Sequence, residues 1–306
     1  MKAIVLNEYG DVNKLALQEI AEPKPGPGEI EVKVAAAGLN PIDWKLRSGV
    51  LKAFMPIEFP SVLGRDASGE VVELGSGVTQ FKVGDEVMGM VQHGYAEFVT
   101  APASGFTAVP PGLDLRDAAA IPVVALTGTQ LIEETANVQS GQTVLVTGAF
   151  GGVGRFAVYA AKARGAKVIA GVRTKQLAEA QKLGASSVVA LDDDAAIAGL
   201  PTLDAVADTV GGPTQAKVTS KVKNGGVVAS TVGPPPGDSA RGVMGKGMQA
   251  RPDGKRLAGL ANAVKVGEVQ LPIAKRFPLA EAAKAHQFAE RGGVGKVLLT
   301  VGALNR

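Results

Sequence analysis

No cysteine occurs in the 306 residues. That absence excludes disulfides and thiolate metal sites, and it suits a reducing compartment. Histidine is almost missing too: His93 and His286 are the only two, far apart, too few to assemble a zinc site from nitrogen and sulfur ligands. His286 falls in an amphipathic helical stretch and reads as structural, whereas His93 precedes a Gly-Tyr turn and is a candidate for lining a cleft. A charge excess is lacking as well. The 32 basic and 29 acidic residues leave a net charge of +3, which is no basic face built for nucleic acid. The apolar run "AAAIPVVAL" at 118–126 is far too short to span a bilayer, and "MKAIVLNEYG" lacks the apolar core of a signal peptide. The expectation is a soluble cytoplasmic protein. There is no nucleophile elbow, no Walker loop and no solenoid-length repeat. Tyr159, in "YAAKA", has the wrong spacing for a tyrosine–lysine reductase dyad and reads as a packing residue.

What is present is ordinary globular composition, 46% hydrophobic and 20% charged, in a chain long enough for two sizeable cores. As far as about residue 110 the chain reads as short β-branched runs, "KAIVL", "EIEVKVAAAG", "ASGEVVELG" and "GDEVMGMV", bounded by Gly, Pro and Asp. "EPKPGPGE" at 22–29 is an extended turn. After "LDLRDAAAIP" the texture changes. A helix over 127–137 leads into strands at 143–147, 167–172, 187–191, 204–209 and 225–232, with amphipathic stretches between them. "SKVKNGG" reads as a basic last helical turn stopped by glycine. The Gly/Pro-rich segment 234–247 reads as a loop, followed by a helix over 255–265, a strand in "EVQLPIA", a helix in "LAEAAKAHQFAERG" and a strand in "KVLLTV". Alternating strands and helices predict a doubly wound parallel sheet covered on both faces.

The chemistry concentrates in "VTGAFGGVGRFAVYAAKARGAKVIAGVRTKQ", 146–176. Gly148, Gly151 and Gly154 recur at three-residue spacing, with Gly152 and Val153 between the last two, after an apolar strand and at the opening of a helix. This is the context in which a glycine loop brings backbone N–H groups onto a pyrophosphate, aided by the helix dipole. A tight strand–helix turn with no ligand is the plainer reading, and the flanking βαβ pattern favours the cofactor. An NAD site carries an acid at the end of the second strand, about 20 residues past the loop. Here that place holds Arg173, Thr174 and Lys175, with no acid until Glu179. Arg173 and Lys175 suit a 2′-phosphate, so the predicted cofactor is NADPH.

Several further stretches, "GLNPIDWKLRSG", "FPSVLGRDASGEVVELGSGVTQFKVGDEVMG", "HGYAEFVTAPAS", "VTGAFGGVG" and "FPLAEAAKAHQFAERGGVGKVLL", together resemble the medium-chain dehydrogenase/reductase superfamily, most closely its zinc-independent quinone oxidoreductase branch. The resemblance covers nearly the whole chain. It implies a GroES-like β-rich domain over 1–121, a Rossmann domain over 122–265, and a return segment over 266–306 completing the first. It also implies that Asn40 and Arg65 stand where zinc-dependent relatives have ligands. Asn40 and Lys45 would lie near the substrate mouth of an interdomain cleft and Thr127 close to the nicotinamide. Several quinone reductases have tyrosine where this chain has Lys45, so their substrate preference need not transfer. Asn40 as a turn former before Pro41, and Lys45 as a solvated base, remain open. The function so implied is NADPH-dependent hydride transfer to a quinone or an α,β-unsaturated carbonyl compound, with Asn40 or Lys45 polarising the carbonyl oxygen. Two other readings stand beside it: a non-catalytic NADPH-binding sensor or moonlighting protein, and an alcohol dehydrogenase. The expected partner is a small molecule rather than nucleic acid or membrane, and a homodimer is expected.

Overall fold

A computed structural model of the chain describes residues 1–293 and 295–302. The chain begins with β1 (Lys2–Leu6), β2 (Leu15–Glu19), β3 (Glu29–Gly38), α1 (Pro41–Arg47), β4 (Ser61–Val62), β5 (Asp66–Leu74), β6 (Glu86–Met90), β7 (Phe98–Pro102), β8 (Phe106–Ala108) and α2 (Leu115–Ala118). β1 lies between β2 and β4 in a small antiparallel sheet. β3, β5, β6 and β8 follow one another antiparallel, and β7 pairs with the other edge of β3. The core of this unit is built from inward side chains of these strands, including Ile30, Val32, Val71 and Val87, together with Tyr95 from the segment between β6 and β7.

A second series follows: α3 (Pro122–Gln130), β9 (Thr143–Thr147), α4 (Gly152–Ala163), β10 (Lys167–Val172), α5 (Leu177–Ala180), β11 (Ser187–Ala190), α6 (Asp194–Ala198), β12 (Leu203–Asp208), α7 (Gly212–Thr219), β13 (Val222–Ser230) and β14 (Met244–Gly247). The helix predicted over 127–137 starts earlier, at Pro122, whose fixed φ suits a first helical position, and it runs on into a π-turn at Leu131–Thr135. All six strands are parallel, in the order β11-β10-β9-β12-β13-β14. Numbered within the unit this is 3-2-1-4-5-6, the order of a dinucleotide-binding doubly wound sheet. β9 and β12 are apolar almost throughout because helices cover both faces.

Three sequence expectations shift here. "SKVKNGG" is not a helix end: α7 stops at Thr219, and Val222, fully buried, already pairs with Leu203 as the start of β13. The segment 234–247 is not all loop, since its end adds β14 to the edge of the sheet. The strand expected in "EVQLPIA" lies later.

The chain then closes with α8 (Gly254–Lys265), β15 (Ile273–Pro278), α9 (Ala282–Ala289) and β16 (Lys296–Thr300). β16 joins β3 antiparallel and β15 runs parallel outside β16, completing a seven-stranded sheet. The chain divides into one compact unit of Met1–Val123 plus the segment from Pro252 onward, and another of Val124–Arg251. α8, expected from sequence in the Rossmann part, therefore belongs with the first unit. Gly254 lies so close to Phe106 O there that a Cβ would collide with it. Among the described residues no helix is long and apolar enough to cross a membrane.

Candidate active site: a glycine cradle and a buried polar cluster

In the second unit the glycine loop runs from the end of β9 into α4. Gly148 has φ +61°, and a Cβ on it would strike the Thr209 hydroxyl. A Cβ on Gly154 would strike Gly148 O and come within 2.6 Å of Ala149 Cα. These two glycines answer to the tightness of the turn itself. Gly151 differs: it is exposed, and it N-caps α4 without any side-chain hydrogen bond. The opening turn of a 12-residue helix thus presents the amides of Gly152, Val153 and Gly154 uncapped, with the positive end of the helix dipole behind them. Such a terminus fits an anionic pyrophosphate. α3 is pressed onto this helix start, since a Cβ on Gly128 would lie 2.5 Å from Val153 O and 2.7 Å from Phe156 Cβ. Thr127, next to that contact, is buried.

At the end of β10, Arg173 and Lys175 are exposed and make no ion pair among the described residues. Thr174 is held differently. Its N–H and its hydroxyl both donate to Asp192 Oδ1, at 2.7 and 2.8 Å. Those two bonds, helped by the nearby Arg173 charge, hold the Asp192 carboxyl below its ordinary range. An acid absent from the strand itself thus lies just beyond β11, which runs beside β10, with its Oδ1 taken by Thr174.

A second feature that the sequence did not disclose is Asp208, fully buried at the end of β12. Its carboxylate accepts from Thr147 Oγ1 at 2.7 Å, Ser230 Oγ at 2.8 Å and Gln215 Nε2 at 3.1 Å, and from the amides of Val210 and Gly211. Thr209 in turn donates to Thr147 twice, from its N–H to Thr147 Oγ1 and from its hydroxyl to Thr147 O. This network ties β9, β12, β13 and the start of α7 together beside Gly148. A buried carboxylate persists only with such a full complement of donors.

In the first unit, Asn40 is buried at the start of α1, and its two amide atoms are committed. Nδ2 donates to Asp66 Oδ2 at 2.7 Å, and Oδ1 accepts from Lys296 Nζ at 2.8 Å. Lys296 also donates to Leu39 O at 3.1 Å and lies 3.3 Å from Asp66, a buried ion pair. Asp66 Oδ1 accepts from Val123 N at 2.6 Å. One turn into α1, Asp43 Oδ2 accepts from the Asn40 backbone N–H at 2.8 Å and the Tyr95 hydroxyl at 2.9 Å, while its Oδ1 has no partner. Burial raises the Asp43 pKa to about 6, against the opposing pull of those two hydrogen bonds. His286 packs edge-on against Tyr95 and accepts at Nδ1 from Arg47 at 3.1 Å, leaving a buried, unpartnered Nε2. Burial, and then the Arg47 charge, lower its pKa to about 3.

The structure thus brings Asn40 together with Asp43, Asp66, Tyr95 and Lys296. Lys45 lies outside this cluster, half-buried on α1 and without an ion pair among the described residues. The donor set around Asn40 does not fit zinc: the Asn40 amide is occupied, Arg65 is a cation, and Asp66 is neutralised by Lys296. Among the described residues no group of three or more His, Cys, Asp and Glu is placed to hold a metal ion. Arg65 instead lines a cavity of about 530 Å³ within this unit, together with Leu46, Met55, Glu58 and His93. His93 adopts φ +62° and hydrogen-bonds Val62 O at 2.8 Å.

Residues 26–111 match the alcohol dehydrogenase GroES-like domain, and residues 183–299 match the zinc-binding dehydrogenase domain. A chloroplast envelope quinone oxidoreductase homolog from Arabidopsis thaliana is 32% identical over 98% of each chain. A 2-haloacrylate reductase from a Burkholderia species is 32% identical, over 97% of this chain and 98% of its own. A spinach chloroplastic quinone-oxidoreductase homolog is 39% identical, but that match spans 62% of this chain and 60% of the spinach protein. Among solved structures, the quinone oxidoreductase of Coxiella burnetii superposes with a TM-score of 0.86 at 32% identity, covering 99% of both chains.

Proposed function

The chain belongs to the medium-chain dehydrogenase/reductase superfamily of NAD(P)-dependent oxidoreductases, in its quinone-oxidoreductase-like branch, and from that premise we propose that it reduces quinones or α,β-unsaturated carbonyl compounds at the expense of NADPH, without zinc. The observation that carries the nucleotide half is the uncapped start of α4 behind an exposed Gly151. The backbone of Gly151, Gly152, Val153 and Gly154 would hold the pyrophosphate, while Arg173, Thr174 and Lys175 would meet the adenosine end. Thr127 would stand by the nicotinamide. When bound, NADPH supplies a hydride, and a proton from water completes the two-electron reduction.

The remaining work is done by side chains. Lys45, half-buried and without an ion pair, is the polarising group for a carbonyl oxygen. Asn40 acts through Asp66 and Lys296, holding the start of α1 in place. Two of the relatives support the substrate class, since one name is that of a quinone oxidoreductase homolog and another that of a haloacrylate reductase. The absence of cysteine suits a cytoplasmic setting. β14, at the open edge of its sheet, is the element through which two copies would pair; light scattering at the monomer mass throughout the micromolar range would refute a dimer.

The test of the function is NADPH consumption against quinones, enones and saturated ketones, run alongside alcohol oxidation with NADP⁺ and repeated in excess chelator. The proposal expects turnover with the first two classes only, unchanged by chelator. Binding of NADPH without turnover of any acceptor would favour the sensor reading, and alcohol oxidation lost to chelator would favour a zinc dehydrogenase.

A further inference from the structure

The first unit's cavity carries a cation that makes no ion pair among the described residues. Gly64 has φ +103°, and a Cβ there would lie 2.5 Å from the Tyr95 ring. Gly94 N donates to Gly64 O at 3.1 Å and Val91 N to Arg65 O at 2.9 Å. The backbone of Arg65 is therefore pinned from both sides, at the mouth of β5. Its side chain is half-buried on the cavity wall and its guanidinium makes no hydrogen bond or ion pair among the described residues. Burial pulls its pKa down, offset in part by the Asp43 charge. A guanidinium partly withdrawn from water without a protein acceptor favours an anionic partner, and its planar pair of N–H groups matches a carboxylate.

The neighbours narrow the ligand further. Asp43 makes no ion pair with Arg65: its Oδ2 accepts from the Asn40 backbone N–H and from Tyr95, and its buried Oδ1 has no hydrogen-bond partner. Glu58, also on the wall, is exposed and unpaired with Arg65. Leu46, Met55 and Leu63 supply an apolar part of a wall that also carries Ser61, Gln92 and His93, which suits a short carbon skeleton with polar ends.

We infer that this cavity reads a carboxylate through Arg65, so that the preferred substrates are conjugated carbonyl compounds bearing a second, anionic group rather than neutral quinones. The inference rests on the reductase reading and deepens it to a substrate class.

The experiment compares kcat/KM for β-acetylacrylate and for its methyl ester, in the wild type, Arg65→Met and Arg65→Lys. The wild type should favour the acid by about ten- to a hundredfold, the range of one charge-assisted contact. Arg65→Met should bring the acid-to-ester ratio close to one, and Arg65→Lys should keep part of it. A wild type that uses acid and ester equally, or an Arg65→Met variant with an unchanged ratio, overturns the inference. Levulinate, the saturated product, provides a readout independent of turnover: calorimetry should show it binding the wild type at least about tenfold more tightly than Arg65→Met. If no acceptor is turned over, the reductase reading fails, and calorimetry still decides the subsite: differential levulinate binding upholds it and equal binding overturns it.

Discussion

The Lys296 ammonium lies 2.8 Å from the side-chain carbonyl of Asn40, buried in the core of the first unit. Removing Lys296 leaves Asn40 Oδ1 without its donor and Asp66 without its cation, and removing Asn40 leaves Asp66 one donor short. Lys296→Met should cost about 3–5 kcal/mol, because a buried carboxylate loses its cation. Asn40→Ala should cost about 1–3 kcal/mol. Lys45→Ala should scarcely change stability, while lowering kcat/KM by about ten- to a hundredfold if it polarises the carbonyl. Trp44, the only tryptophan, sits on α1 beside this cluster, so its fluorescence in urea reports the unit concerned. Stable Lys296→Met protein would show that the pair is peripheral, and full activity in Lys45→Ala would make Lys45 a surface base.

Acid should act on this unit through two opposed groups. His286 has a folded pKa of about 3 against an ordinary 6.5, so the unfolded chain binds the proton first and stability falls as pH drops below about 6.5. Asp43 is raised to about 6 from 3.8; there the folded state binds the proton first, and its contribution improves as pH falls through 6. Arg47, the Tyr95 ring edge and Glu290 behind Arg47 surround the imidazole. His286→Phe removes only the first effect. Its stability relative to wild type should therefore rise by about 1.4 kcal/mol per pH unit between pH 6 and 4, read from urea midpoints. A difference independent of pH would mean that His286 is already charged in the fold.

The glycine loop was legible in the sequence because strand, glycines and helix are contiguous, and the parallel sheet was legible because its strands are uninterrupted apolar runs. The boundaries that moved did so for tertiary reasons. Lys221 and Lys223 look like a helix end, yet Val222 between them is drawn into the core beside Leu203. β14, Met-Gly-Lys-Gly, has almost no strand propensity and exists because β13 offers it an edge. Asn40 was identifiable as a candidate, but Asp66 and Lys296 lie 26 and 256 residues away. Asp192, 18 residues after Thr174, is likewise brought in by sheet order rather than by any local pattern.

The proposed preference for NADPH rests on Arg173 and Lys175, exposed at the end of β10. A 2′-phosphate facing Arg173 and Lys175 should favour NADPH over NADH by roughly one to three powers of ten in kcat/KM. Arg173→Ala should penalise NADPH alone, and salt should erode the preference. Asp192→Asn keeps an acceptor for Thr174 and removes a negative charge near the phosphate, so the NADPH-to-NADH ratio should rise a few-fold. Equal use of both cofactors by the wild type would place Arg173 in solvent.

Label transfer tests the central claim most directly. NADPH deuterated at the transferring position of the nicotinamide, incubated with the protein and an enone, should yield a saturated ketone with one deuterium at the former β-carbon, in step with NADPH consumed. NADPH oxidised with no deuterium in the product, or an enone left untouched while NADPH binds, would contradict hydride transfer by this protein.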